Sequence, residues 1–276
     1  MCRANGRPIS YGIVEGAPTG ETARTIVLIH GWALAHSSYG RAAQQLAAHG
    51  FDVLVPDLPG FGGSPDLPLR RVSLDSFARV ISHFLTELGY AGKPVHLVGH
   101  SFGGAVAAQV AHDYPAMVAS VVLVDSVSGA TWTREDEAAE RLLTDRPLWD
   151  WGVRLVQEFP FGGFPGAAGT LLRDLGRNVA WHLPSLGAVA GLIRRSDLRG
   201  QLEKIASADV PVAVVWAEGD RVITRASFED QCRALGCQGT VVEGNHGWPI
   251  ADPSSFGRLV ADLLEGPRAA PVSQPA

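Results

Sequence analysis

Ser101 stands in Gly99-His100-Ser101-Phe102-Gly103, a G-x-S-x-G pattern. Val95, Leu97 and Val98 precede it as a short apolar run, and Ala105-Val106-Ala107-Ala108 follows it with helix-favouring residues. Strand, serine and helix in that order make a tight turn that lifts the hydroxyl clear of the backbone, a nucleophile elbow. The chain has 32 glycines, so the pattern alone could arise by chance; the flanking strand and helix give it meaning. Gly99 and Gly103 lack the Cβ that such a turn would crowd.

A serine hydroxyl is a weak nucleophile and needs a base within hydrogen-bond reach. Imidazole suits that role near neutral pH. Among nine histidines, His246 is the candidate: it follows the last apolar run, in the flexible stretch Gly244-Asn245-His246-Gly247. His100 adjoins Ser101, but neighbouring side chains diverge at a sharp turn, so it is expected to pack or to bond locally. His96 is expected in the core, on a buried strand. His36, His49, His83, His112 and His182 have no motif around them and are read as surface or packing residues.

The base needs a carboxylate to orient it and to stabilise the imidazolium. Asp220 closes the penultimate strand and Asp125 closes the strand after the elbow, so the residues alone leave two candidates. Asp57 is read as organising its own loop. Acyl transfer places negative charge on a carbonyl oxygen, which two preorganised N–H groups would stabilise. The backbone N–H of Phe102 is one expected donor, at the positive end of a helix. That of Trp32, in His30-Gly31-Trp32, is the other.

These residues need a scaffold. Apolar, β-branched runs are expected as strands over residues 9–15, 25–29, 53–55, 95–98, 118–124, 210–217 and 240–242. Helices are expected from a Ser37 or Ser38 cap to near Gly50, from Ser73 to Gly89, after the elbow, and over 225–235 and 254–264. Strands that are apolar throughout and separated by helices imply a mostly parallel, doubly wound α/β sheet covered on both faces. Chemistry then belongs at the carboxyl ends of the strands, where each residue singled out above lies. From 126 to about 208 the alternation stops and the tendency is helical. That stretch holds Trp132, Trp149, Trp151 and Trp181, with Phe159, Phe161 and Phe164 in a Gly/Pro-rich run, and could offer an apolar acyl pocket.

A net charge of −5 and the lack of a basic run argue against nucleic acid as a partner. The polar first nine residues do not read as a secretory signal, and no apolar run is long enough for a membrane span. Three cysteines, Cys2, Cys232 and Cys237, suit reduced thiols and a cytoplasmic location. No phosphate-cradling loop or metal-ligand cluster implies a cofactor. The expected partner is a small acyl substrate, and oligomeric state is not legible.

Taken together, His30-Gly31-Trp32, the run Asp57-Leu58-Pro59-Gly60-Phe61-Gly62-Gly63-Ser64, the elbow, Gly219-Asp220 and Asn245-His246-Gly247 resemble the α/β-hydrolase superfamily over residues 6–265. The order serine, acid, histidine is the one that family uses. The resemblance implies Asp220 as the acid, after the seventh strand, with Asp125 as the alternative some members use. It also implies a hydrolase core over 1–126 and 209–266 with a helical cap over 127–208; the Pro/Ala-rich composition of 267–276 implies a disordered tail. Only Met1 to Ala4 precede the Asn5-Gly6 turn, so the family's first antiparallel strand is expected to be missing or vestigial. His30-Gly31-Trp32 replaces the His-Gly-Gly of carboxylesterases and iminopeptidases. A serine nucleophile disfavours dehalogenase and epoxide-hydrolase chemistry. The expected activity is a serine hydrolase of carboxylic esters with an acyl-enzyme intermediate. The same residues would serve a carbon–carbon hydrolase, a thioesterase or a lyase, and a non-catalytic binding module is a third reading.

Overall fold

Alternation along each strand sorts the core into two layers. In Arg24–Ile29, Val27 and Ile29 face one apolar cluster while Ile26 and Leu28 face another. A strand buried on both faces belongs inside a parallel sheet, and the computed structural model, which describes residues 1–4, 6–17, 24–129, 165–208 and 210–266, places it there.

The chain opens with Cys2–Ala4 (β1) and Arg7–Ile9 (β2), paired antiparallel as a two-stranded ribbon. The first strand is therefore present, though three residues long and outside the main sheet. The strand expected over 9–15 is broken: β2 ends at Ile9, and a new strand, β3, spans Tyr11–Val14. Ser10 makes the break because both its backbone groups serve another loop. Its N–H donates to Ser64 Oγ (3.1 Å), and its carbonyl accepts from Asp57 N–H (2.8 Å).

The remaining strands are β4 (Arg24–Ile29), β5 (Phe51–Pro56), β6 (Val95–His100), β7 (Val118–Val124), β8 (Val212–Ala217) and β9 (Thr240–Val242). The sheet order is β3-β5-β4-β6-β7-β8-β9, with β3 antiparallel to β5 and all other pairs parallel. After β4 the chain adds β5 on one side, then crosses to add β6 on the other. The carboxyl ends of β4 and β6 thus flank a topological switch point, where the loops diverge and open a crevice.

One face of the sheet packs on α1 (Gly40–Ala48) and α8 (Pro253–Glu265) through Ala42, Leu46, Phe256 and Val260. The other packs on α2 (Leu74–Glu87) and α3 (Phe102–Asp113) through Phe77, Ile81, Phe84 and Val106. The amphipathic pattern of α2 starts at its cap, where Ser73 Oγ accepts from Ser76 N–H (3.3 Å). Between β7 and β8 lie α4 (Pro165–Arg195) and α5 (Arg199–Ser207). The helix α4 departs from helical geometry at His182, two residues before Pro184, which has no N–H to continue the ladder. The helix α5 packs on α3 and on α6 (Arg225–Leu235), with Leu202 and Ile205 buried. A short helix, α7 (Trp248–Ala251), precedes α8. No helix among the described residues is long and apolar enough to cross a membrane.

Candidate active site

The end of β6 and the start of α3 meet at Ser101, whose backbone is forced to φ 54° and ψ −121°. A non-glycine residue in that region costs about 1–3 kcal/mol and persists only where the surroundings impose it. They do so here. Ser101 N–H donates to Val124 O (2.9 Å), and Ser101 O accepts from the N–H groups of Gly104 (3.0 Å) and Val127 (3.2 Å). The two flanking glycines are required by packing. A Cβ on Gly99 would run into the Gly103 carbonyl oxygen, and one on Gly103 into the Ile29 carbonyl oxygen.

The loop after β9 carries His246 back over the sheet edge. Gly219 N–H donates to Gly244 O (2.9 Å), which binds this loop to the one after β8. His246 Nδ1 lies 2.7 Å from Asp220 Oδ2, and His246 Nε2 lies 3.0 Å from Ser101 Oγ. A carboxylate only accepts, so the proton sits on Nδ1 and the Nε2 lone pair faces the serine hydroxyl. Asp220 is itself fixed: its Oδ1 accepts from Val222 N–H (2.6 Å) and Ile223 N–H (2.9 Å). All three side chains are buried.

Asp125 occupies a different position. Its Oδ1 accepts from Ala217 N–H (2.8 Å) and its Oδ2 from the Trp248 indole N–H (2.8 Å). Burial, and then the neighbouring Asp220 carboxylate, push its pKa well above the usual carboxylate range. The residues alone leave both aspartates open, and the resemblance implies Asp220. The structure gives the imidazole to Asp220 and makes Asp125 a clamp on the ends of β8 and α7.

The loop after β4 passes close to Ser101, since a Cβ on Gly31 would lie 3.3 Å from Ser101 Cβ. Trp32 follows, and its indole N–H donates to Leu186 O (3.0 Å). Phe102 is the first residue of α3, where a backbone N–H has no partner within the helix. His30, kept neutral by burial, donates from Nδ1 to Gly31 O (2.8 Å) and accepts at Nε2 from Leu58 N–H (2.9 Å). It thereby ties the β4 loop to the β5 loop.

Asp57 organises its surroundings. Oδ1 accepts from His36 N–H (2.7 Å) and from the His36 ring (2.9 Å), and Oδ2 accepts from Gly63 N–H (2.8 Å). His36 is thus no simple surface residue, and its hydrogen bond to Asp57 raises its pKa. A raised imidazole pKa contributes stability that is complete below the ordinary value, about 6.5, and is lost as pH rises through the folded value. The melting temperature should therefore fall between about pH 6 and about pH 8 more steeply in the wild type than in His36→Gln. Equal slopes in a thermal-shift titration would refute this ion pair.

The helix α4 holds the same loops from above. Asn178, fully buried, donates from Nδ2 to Ala33 O (2.8 Å) and Leu34 O (3.3 Å), and accepts at Oδ1 from Gly62 N–H (2.8 Å). Asp174 Oδ2 accepts from the hydroxyls of Ser37 (2.6 Å) and Ser38 (2.7 Å). The two serines therefore do not supply the α1 cap expected from their position; they anchor α4, and α1 starts at Gly40 with Tyr39 at its N-cap and no side-chain cap. At the kink, His182 and Ser185 both reach Asp66. Asn178→Ala leaves three buried backbone groups unpaired and is expected to cost about 3 kcal/mol. That corresponds to a melting point lower by roughly 6–12 °C, read by calorimetry; a change under about 2 °C would count against this anchor.

Other histidines gain specific partners. His96 is half-buried, with Nδ1 2.8 Å from Ser120 Oγ. His182 pairs with Asp66. His100 does not bond locally: it reaches His246 and Tyr39, partners that lie far along the chain. Trp181 is 75% exposed and contributes no enclosed apolar wall. Trp132, Trp149, Trp151, Phe159, Phe161 and Phe164 lie outside the described residues, as does the expected tail over 267–276.

Comparison with known proteins matches residues 24–186 to the family described as alpha/beta hydrolase fold. This chain belongs to the α/β-hydrolase family. The hydrolase is 39% identical over 250 residues to a pimeloyl-[acyl-carrier protein] methyl ester esterase of Aeromonas salmonicida, covering 85% of this chain and 93% of that one. Among solved structures, a bromoperoxidase from Bacillus anthracis superposes with a TM-score of 0.78 at 20% identity, over 96% of this chain and 99% of that one. An enol-lactonase from Burkholderia xenovorans superposes with a TM-score of 0.76 at 18% identity, over 95% and 98%. At those identities the two structures establish the fold of the hydrolase and no more.

Proposed function

We propose that this α/β-hydrolase cleaves a carboxylic ester through an acyl-enzyme intermediate, with Ser101 as nucleophile, His246 as general base and acid, and Asp220 as the group that orients it. The observation that carries this is one imidazole set between two partners, 3.0 Å from the Ser101 hydroxyl and 2.7 Å from the Asp220 carboxylate.

In the first half-reaction Ser101 Oγ attacks the ester carbonyl carbon while its proton passes to His246 Nε2. The resulting oxyanion is received by the backbone N–H groups of Phe102 and Trp32, each worth about 3 kcal/mol in such a role. The bond between the acyl carbon and the alcohol oxygen then breaks, and the departing oxygen takes the proton from His246. In the second half-reaction water loses a proton to His246 and adds to the acyl carbon; the bond from that carbon to Ser101 Oγ then breaks, and Oγ takes the proton back from His246. Asp220 stays ionised and stabilises the imidazolium in both halves. The substrate is a small acyl compound, and the methyl ester esterase relative supports an ester over the alternatives available to the same residues.

A fluorophosphonate probe should label the protein once, on the peptide carrying Ser101, and block hydrolysis of short p-nitrophenyl esters in step with labelling. Label on any other residue, with activity retained, would remove the nucleophile assignment. Label without ester turnover would shift the reading to a carbon–carbon hydrolase or thioesterase.

A further inference from the structure

The imidazole of His100 faces His246, with ring centroids 4.9 Å apart. Its Nε2 lies 2.8 Å from the backbone carbonyl oxygen of His246, and its Nδ1 lies 2.6 Å from the Tyr39 hydroxyl. The Tyr39 oxygen in turn accepts from Gly31 N–H at 3.1 Å. Tyr39, His100 and His246 are all at most 1% exposed.

The proton positions in this chain follow from what each atom can do. A carbonyl oxygen only accepts, so His100 Nε2 carries a hydrogen. Burial, and the second imidazole beside it, hold His100 neutral, so Nδ1 has a lone pair and no hydrogen. Tyr39 must then donate to Nδ1, which leaves its oxygen lone pairs for Gly31 N–H. Every donor and acceptor in the path is used once, in one direction: Gly31 to Tyr39, Tyr39 to His100, His100 to His246.

The two ends of the path are the two halves of the proposed chemistry. Gly31 precedes the expected oxyanion donor Trp32, and a Cβ there would lie 3.4 Å from His100 Nδ1. The far end holds the main chain of the general base. We infer that Tyr39 and His100 are positioning residues, which lock the His246 backbone to the oxyanion loop so that the imidazole and the oxyanion donors stay in register across Ser101. The inference rests on the triad reading above. It explains why the position before the nucleophile carries a side chain that can donate and accept at opposite edges, buried where an apolar residue would otherwise suffice.

The test is kinetic, with p-nitrophenyl butyrate as substrate, fluorophosphonate labelling as a second readout, and melting temperature to monitor the fold. Gln and Asn divide the imidazole's functions. A Gln amide N–H reaches the place of Nε2 and can still donate to the His246 carbonyl; an Asn amide falls at the place of Nδ1 and cannot. His100→Leu and His100→Asn are expected to lower kcat about 100-fold with KM changed less than about threefold, as a misplaced base would. His100→Gln should stay within about tenfold of wild type. Tyr39→Phe, which removes one oxygen, should lower kcat about tenfold and lose most of that effect in the His100→Leu background.

Equal kcat in the Gln and Asn variants, or effects of Tyr39→Phe and His100→Leu that simply multiply, would overturn the relay. If His100→Leu does not fold, Tyr39→Phe alone decides: a kcat within about twofold of wild type rejects the relay. Wild-type protein that neither takes the probe nor turns over ester would overturn the triad reading and the relay with it. Wild type that does both, with the position-100 variants indistinguishable, overturns the relay alone.

Discussion

Ser101→Ala and His246→Ala should each lower kcat for a p-nitrophenyl ester by about 10⁶-fold, and the double variant should be no slower than either. The reason is that nucleophile and base act as one unit across the 3.0 Å between Nε2 and Oγ. Without the hydroxyl the imidazole has no proton to take, and without the imidazole the hydroxyl is a poor nucleophile. What remains is the stabilisation of the oxyanion by backbone donors, which neither substitution touches. Steady-state kinetics at saturating ester read the result. A double variant slower than the singles by a further large factor would mean that the two residues act independently. Ser101→Ala retaining more than about a hundredth of the rate would point to another nucleophile.

Asp220→Asn is expected to lower kcat by about 10⁴-fold, and Asp125→Asn by less than tenfold. The two aspartates sit side by side at the same sheet edge, so the difference is one of bonding. Asp220 presents Oδ2 to His246 Nδ1 at 2.7 Å while Val222 and Ile223 fix its other oxygen. An Asn there would turn a donor toward the ring or leave Nδ1–H with a weaker acceptor, and the imidazolium would lose its counter-charge. Asp125 holds Ala217 N–H and the Trp248 indole, and its pKa is pushed up by burial and by Asp220. An amide resembles a neutral carboxyl, so Asp125→Asn sacrifices one hydrogen bond and about 1–3 kcal/mol of stability while the active-site charges keep their places. The reverse ranking of kcat, measured on the two variants, would hand the orienting role to Asp125.

Most of the scaffold could be read from local pattern. The β-branched runs at 118–124 and 240–242, and the helix at 225–235, agree with the observed elements to the residue. These segments carry their own signal, because strand and helix repeat on periods of two and 3.6 residues. Where the reading missed, a distant partner had taken over a local group. Ser10 breaks a strand because its backbone serves the loop at 57–64. Ser37 and Ser38 fail to cap a helix because Asp174, more than 130 residues away, takes both hydroxyls.

The same division runs through the site. Residue types and short motifs were enough to nominate the site residues, because a tight serine turn, a glycine-flanked histidine and strand-end carboxylates are each local features. They were enough as well to place every candidate on one rim, because strand direction follows from the order of elements. The choice between Asp220 and Asp125, the reach of His100 to residues 61 and 146 positions away, and the grip of Asn178 on Ala33 have no such local mark. They depend on angles between loops that only the packed sheet sets, and a difference of an ångström there decides which carboxylate meets the imidazole.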